Sequence, residues 1–222
     1  MSMEKLCYIF GAGEESTPAV LPPRDSVFVI AADGGYETAA RLFGVPDLAV
    51  GDFDSLGYVP SGLPVVRHPA EKDDTDLALA AREARARGYR RLSFFSALGG
   101  RLDHTVANLQ LLAHLAGEGC EATLLGADGT AATALAGPAE AVFSPDFSGT
   151  VSVFAHGGPA EGVTLTGLKY PLEDATLTPD VPLGVSNEFL GKEARISLAS
   201  GTLLLFYQTE NGATPDIKID KT

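Results

Sequence analysis

Cysteine is scarce: the 222-residue chain has two, Cys7 and Cys120. Two cysteines build no disulfide framework and show no metal-ligand spacing, so each reads as a small buried hydrophobe in an apolar segment. Long apolar runs are absent as well. "SVFVIAA" and "TLLLFYQ" are far too short to span a bilayer, and the start "MSMEKLCYIF" lacks the extended apolar core of a signal peptide. These absences lead to the expectation of a cytoplasmic protein with no membrane partner. Positive charge is the third shortage. Against 29 Asp and Glu there are 16 Lys and Arg, a formal net charge of −13, which argues against a nucleic-acid partner because phosphate backbones need a basic face. The acidic excess suits solubility, a cationic small molecule, or a metal escorting an anion.

What is present is a globular composition, 45% apolar with mixed charge. Residues 1–130 read as an α/β domain. "LCYIF", "SVFVIAA", "DLAVGD", "LPVVRHP", "RLSFFSA" and "EATLLG" have the character of buried strands. Between them "YETAARLFG" reads as a helix ended by Gly44, "DTDLALAAREARARG" as one stopped by Gly88, and "DHTVANLQLLAHLAG" as a third capped by Asp103. Such alternation predicts a mostly parallel sheet with helices on both faces. From about 130–140 the helical period disappears. "AEAVFSP", "GTVSVFAH", "EGVTLTGLKYPL", "EARISLAS" and "TLLLFYQT" are short strand-like runs split by turn residues, which predicts a C-terminal antiparallel β-sandwich or barrel over 138–210. Residues 211–222 read as a loose tail.

In open α/β sheets ligands bind at the carboxyl ends of the strands, and here four successive strand ends each deliver an aspartate. They are Asp33-Gly34-Gly35, Asp52-Phe53-Asp54-Ser55, "AEKDDTD" at 70–76 and "LGGRLDH" at 98–104. In extended backbone Asp52 and Asp54 share one side while Phe53 turns inward. Two carboxylates held close repel unless a cation lies between them, so Asp52, Asp54 and Asp76 are candidate oxygen ligands for Mg²⁺, which binds few carboxylates alongside substrate phosphates. Asp73 and Asp76 share one face of a helix's first turn, where Asp73 or Asp74 also suits N-capping. Thr75 suits a phosphate oxygen or the backbone. Gly99, Gly100 and Arg101 supply the opposite charge, with N–H groups open to a phosphate and a guanidinium that forks onto its oxygens. Asp103 bonds Arg101, caps the helix or approaches the metal; His104 reads as a local helix-start residue, and Asn108 lies one turn on. "GAG" at 11–13 lacks the third glycine of a dinucleotide fingerprint, yet suits the lining of a nucleotide pocket.

In this order, "DGG" at 33–35, "GDFDS" at 51–55, "KDDTD" at 72–76, "GGRLDH" at 99–104 and "GVSNEF" at 184–189 resemble the thiamine pyrophosphokinase family. The resemblance implies a Rossmann-like domain followed by a β-sandwich. It implies transfer of a pyrophosphoryl group from ATP to the hydroxyethyl oxygen of thiamine, and a homodimer with thiamine in clefts between subunits. Carried over by position, it implies that Asp52, Asp54 and Asp76 hold Mg²⁺ on the ATP phosphates, and that Thr75, Asp73, Gly99, Gly100 and Arg101 border the nucleotide. Asp33 falls on the thiamine side of the wall, and Ser186 and Asn187 approach the aminopyrimidine. From the residues alone "GVSNEFLG" reads as a β-turn. Some members stack thiamine on a tryptophan of the last domain; this chain has none, which leaves Tyr207, Phe206 or no aromatic residue for that place. The alternatives are a pyrophosphokinase for another hydroxymethyl heterocycle such as a pterin, or a non-catalytic nucleotide sensor.

Overall fold

The structure, a computed structural model, describes residues 5–69, 73–209 and 217–220. The α/β half contains β1 (Leu6–Phe10), β2 (Val27–Ala32), α1 (Gly35–Phe43), β3 (Leu48–Gly51), β4 (Val65–Arg67), α2 (Asp76–Ala86), β5 (Arg91–Leu98), α3 (Leu102–Gly117) and β6 (Glu121–Gly126). The strands that follow are β7 (Thr130–Ala136), β8 (Ala139–Phe143), β9 (Thr150–Ala155), β10 (Ala160–Thr166), β11 (Leu172–Leu177), β12 (Gly184–Glu188), β13 (Ala194–Leu198), β14 (Thr202–Gln208) and β15 (Lys218–Asp220).

Ten strands form one sheet in the order β12-β9-β14-β7-β6-β5-β1-β2-β3-β4. From β6 to β4 all neighbours are parallel; from β6 to β12 all are antiparallel. A second, fully antiparallel sheet runs β11-β10-β13-β8-β15. One layer of the sandwich is therefore the continuation of the parallel sheet, and both halves of the chain hang on one hydrogen-bonded platform. The join is β7, whose "TAATALA" pairs with β6 on one side and β14 on the other.

The central strands read as unbroken apolar runs because both faces are covered. In β1, Tyr8 and Phe10 enter the core shared by α1 and the second sheet, while Cys7 and Ile9 enter the core under α2 and α3. Helices thus lie on both faces, α1 on one and the α2–α3 pair on the other. Buried Cys7 and Cys120 are free thiols, and desolvation pushes the Cys7 thiol far above its ordinary value.

Two local expectations change. Lys218–Asp220 are not a loose tail: they add β15 to the edge of β8, opposite Glu140–Val142, while Ile217 is buried. Helix α3 is capped by Arg101 rather than Asp103, with no side-chain cap bond; Asp103 sits in the first turn, where its carboxylate is drawn to the guanidinium instead. Helix α2 is capped by Thr75, whose extended backbone lets Oγ1 accept from the Ala78 N–H at 3.2 Å. Neither Asp73 nor Asp74 caps it, and Asp74 pairs with Arg82.

Candidate active site

The chain runs β1, β2, β3, β4 in one direction across the sheet, then crosses to place β5 on the other side of β1. At such a switch the loops leaving the two neighbouring strands diverge and open a crevice. A cavity of about 510 Å³ occupies this place. Its walls come from the loop after β1 (Gly11 to Glu14), from Asp33, from Thr75 and Asp76 at the start of α2, and from Gly99, Gly100 and Arg101 before α3. Gly99 and Gly100 both have positive φ, 85° and 64°, which brings the backbone close to the space where α3 begins. Their N–H groups and the helix terminus favour an anion there.

Asp33, Asp52 and Asp54 offer oxygens that all lie within 4.8 Å of one another. Asp33 is buried, and its N–H donates to the Val50 carbonyl at 2.8 Å, which fastens the end of β2 to that of β3. Its Oδ2 accepts from Ser55 Oγ at 2.6 Å, but Oδ1 is buried with no hydrogen-bond partner. A lone carboxylate oxygen without a donor is costly unless a cation completes it. Asp52 and Asp54 do not sit two apart on a straight strand. Phe53 takes φ 64° and is buried, and the Asp54 N–H donates to Asp52 Oδ1 at 3.1 Å, so a tight turn brings the carboxylates together. The grouping differs from the one expected: Asp33 joins Asp52 and Asp54, while Asp76 lies outside that trio and faces the cavity.

A second, open cavity of about 710 Å³ lies on the other side of the trio, lined by Asp52, Asp54, Tyr58, Arg67 and His68 among others. Arg67 and His68 had no motif to mark them. Arg101 is held by Asp103 through two bonds, Nε to Oδ1 at 3.2 Å and Nη2 to Oδ2 at 2.6 Å. The pair lowers the Asp103 carboxyl below its usual range and raises the guanidinium. The folded value of Asp103 is depressed, so the pair persists above the ordinary carboxyl range of ~4 and is lost only as pH falls through the lower folded value. Anion affinity resting on Arg101 is therefore expected to be flat from about pH 7.5 to 9, where the terminal phosphate of the nucleotide is already ionised; a titration of nucleotide affinity that bends within this range would contradict it.

Other expected residues are placed elsewhere. Asp73 lines a separate groove between α2 and α3. Asn108 is buried and donates to the Ala97 carbonyl at 2.8 Å, bracing the cavity wall. Ser186 is exposed with φ 58° on β12, and its N–H donates to Ser152 Oγ at 3.1 Å. Asn187 spends its side-chain amide on Tyr170, donating to that carbonyl at 2.7 Å and accepting from that N–H at 2.9 Å. Tyr207 is 2% exposed between the two sheets against Phe143 and Phe147, so it stacks on no ligand; burial pushes its phenol up. Phe206 faces the opposite way and meets Phe154 edge-on at 5.6 Å. The edge strand β12 lies eight strand spacings from β3, on the order of 35–40 Å at ~4.8 Å each.

Comparison with known proteins identifies the family. Residues 24–124 match the model of the thiamin pyrophosphokinase catalytic domain, and 142–203 that of its vitamin B1 binding domain. The thiamine pyrophosphokinase of Bacillus subtilis is 30% identical over 188 residues, 82% of this chain and 87% of that protein. The crystal structure of the enzyme from that species superposes with a TM-score of 0.77 at 26% identity, covering 93% of this chain and all (100%) of that one. The structure from Geobacillus thermodenitrificans gives 0.74 at 26% over 94% and 99%. The Candida albicans structure, at 14% identity and 0.69 over 92% and 90%, shares the fold. The chain belongs to the thiamin pyrophosphokinase family.

Proposed function

We propose that the enzyme transfers the pyrophosphoryl group of Mg·ATP to the hydroxyethyl oxygen of thiamine, giving thiamine diphosphate and AMP, with the nucleotide in the β1–β5 crevice. The observation that carries this reading is Asp33 Oδ1, a buried oxygen without a hydrogen-bond partner, set with Asp52 and Asp54 beside that crevice. The donor set fits Mg²⁺: three hard carboxylate oxygens, few enough to leave positions for water and phosphate. Asp33, Asp52 and Asp54 would hold the ion, with Asp76 on the nucleotide side. When bound, the ion neutralises phosphate charge and draws the reacting oxygens into line.

The chain's own groups do the rest. Gly99, Gly100 and the start of α3 seat phosphate oxygens, and Arg101, aimed by Asp103, neutralises charge as the bond between the β-phosphorus and its α-bridging oxygen breaks. The thiamine oxygen bonds to the β-phosphorus, AMP departs with the bridging oxygen, and the hydroxyl proton leaves to a carboxylate. Asp103 is a poor acceptor because Arg101 holds it ionised, and Asp73 opens onto another groove. Thiamine enters from the open cavity of Tyr58, Arg67 and His68, where acidic groups suit its cationic ring.

Ser186 lies too far from the trio of its own chain to share a ligand with it, which supports a homodimer whose second copy supplies β12. Free buried thiols fit a reducing, cytoplasmic setting. Two experiments test the reading. Calorimetric binding of an ATP analogue with a methylene between the α- and β-phosphates should require Mg²⁺ and weaken roughly 10–100-fold in Arg101→Ala; equal affinity without Mg²⁺ counts against the site. Asp54→Asn and Ser186→Arg, each inactive alone, should regain activity when co-expressed. No recovery, with mixed dimers isolated, means that each site is built within one chain.

A further inference from the structure

The loop after β1 is fastened by a device that the transfer chemistry leaves unused. At its start the Gly11 N–H donates to the Phe95 carbonyl at 3.0 Å. At its end Ser16 and Ser96 hold each other. The Ser16 N–H donates to Ser96 Oγ at 3.1 Å, the Ser96 N–H donates to Ser16 Oγ at 2.5 Å, and Ser16 Oγ donates onward to the Leu125 carbonyl at 2.9 Å. Both serines are buried, 6% and 4% exposed. Glu15 ties the outer side of the loop to α1, pairing with Arg41 at 2.6 Å and accepting from Thr38 at 3.3 Å. Between these anchors Ala12, Gly13 and Glu14 arch over the cavity and form one wall.

The strand beneath is bent to receive the loop. Ser96 takes φ 57°, and the pairing of β5 with β6 slips between Phe95 and Leu98, a bulge in an otherwise regular strand. A left-handed serine inside a strand is strained and persists only where its surroundings require it. The bulge presses the Ser96 carbonyl against the loop: a Cβ on Gly13 would lie 2.4 Å from that oxygen. No room remains for the arch to shift inward, and the two serines stop it from lifting away.

We propose that Ser16 is a positioning residue for the nucleotide. It lines no part of the cavity, and it acts through the Ala12–Glu14 arch by clasping Ser96. This rests on reading the crevice as the ATP site. The two serines share their bonds reciprocally, so removal of one hydroxyl strands the Ser96 N–H and the Leu125 carbonyl in the interior. A loosened wall penalises ATP binding and leaves thiamine, which enters across the trio, untouched.

The test is steady-state kinetics on the full-length enzyme with ATP and thiamine varied separately, alongside direct ATP binding and thermal melting. Ser16→Ala should raise KM for ATP roughly tenfold, with kcat and KM for thiamine within about twofold of wild type. Ser16→Thr keeps the hydroxyl and should restore the ATP value. Thr133→Val is the control: it removes a comparably buried bond, Thr133 to the Ala122 carbonyl at 2.7 Å, away from the crevice, and should lower Tm without moving either KM. Should Ser16→Ala fail to accumulate, Ser16→Cys keeps a side chain of similar size with a weaker donor and should raise KM for ATP roughly threefold. A fall in Tm with KM for ATP unchanged overturns the proposal alone and leaves the serines merely structural. Wild-type protein that binds no ATP overturns the reading of the crevice and this proposal with it.

Discussion

Asp54→Asn is expected to abolish turnover and leave the fold intact. Asp54 is exposed and contributes nothing to the core, so its loss leaves no cavity and no stranded buried group. The turn that presents it survives, because the bond to Asp52 Oδ1 comes from the Asp54 main-chain N–H and not from its side chain. What the substitution removes is one negative charge from three crowded carboxylates, the charge that a divalent cation would answer. Removing such a group from the point where charge develops typically lowers kcat by ~10³-fold or more, while melting should stay within about 1 °C of wild type, as for a solvent-exposed change. Adding excess chelator to the wild type should reproduce the loss. Turnover within about tenfold of wild type in Asp54→Asn would sink the metal assignment.

Gly35→Ala is expected to have the largest effect on stability. Gly35 opens α1 at the point where the helix leans on the end of β1, and an added Cβ would lie 2.0 Å from the Phe10 carbonyl oxygen, 2.5 Å from its carbon and 2.8 Å from the Gly11 oxygen. All three are backbone atoms, at the end of a central strand and in the residue that follows it, so none rotates away. The helix must lift, and with it the Asp33-Gly34 turn that carries the buried carboxylate. Overpacking of this kind costs about 3 kcal/mol or more. Gly117, the last residue of α3, has nothing within 4 Å of its built Cβ, so Gly117→Ala should be neutral or stabilising by about 0.5–1 kcal/mol. Chemical denaturation of the two variants separates the cases; equal midpoints would mean that α1 does not sit on β1 as described.

The α/β half was legible because its signals are strong and local. Buried parallel strands read as apolar runs, and the first two helices carry their stops at Gly44 and Gly88. Once the α/β sheet is read, the strand-end rule gathers Asp33, Asp52, Asp54, Asp76 and the Gly99–Arg101 loop onto one rim. What stayed hidden depends on tertiary context. "TAATALA" has little β-propensity of its own and becomes β7 because two strands flank it. "GVSNE" is a polar edge strand, and composition cannot tell it from a turn. The closeness of Asp33 to Asp52 and Asp54 was hidden as well, because it depends on the left-handed Phe53 and the Asp33–Val50 bond. The inward orientation of Tyr207 follows the alternation of β14, with Leu203 and Leu205 on the same buried face. The β1 loop gave only "GAG" as a hint, because the Ser16–Ser96 contact joins residues 80 apart.

Pyrophosphoryl transfer is tested most directly by one product assay: purified protein with Mg·ATP, with and without thiamine, scored for AMP, ADP and thiamine diphosphate. AMP that appears only with thiamine, in step with thiamine diphosphate, is the predicted result, and means attack at the β-phosphorus. ADP in its place, or AMP release that ignores thiamine, would contradict the pyrophosphoryl transfer on which the site assignment depends.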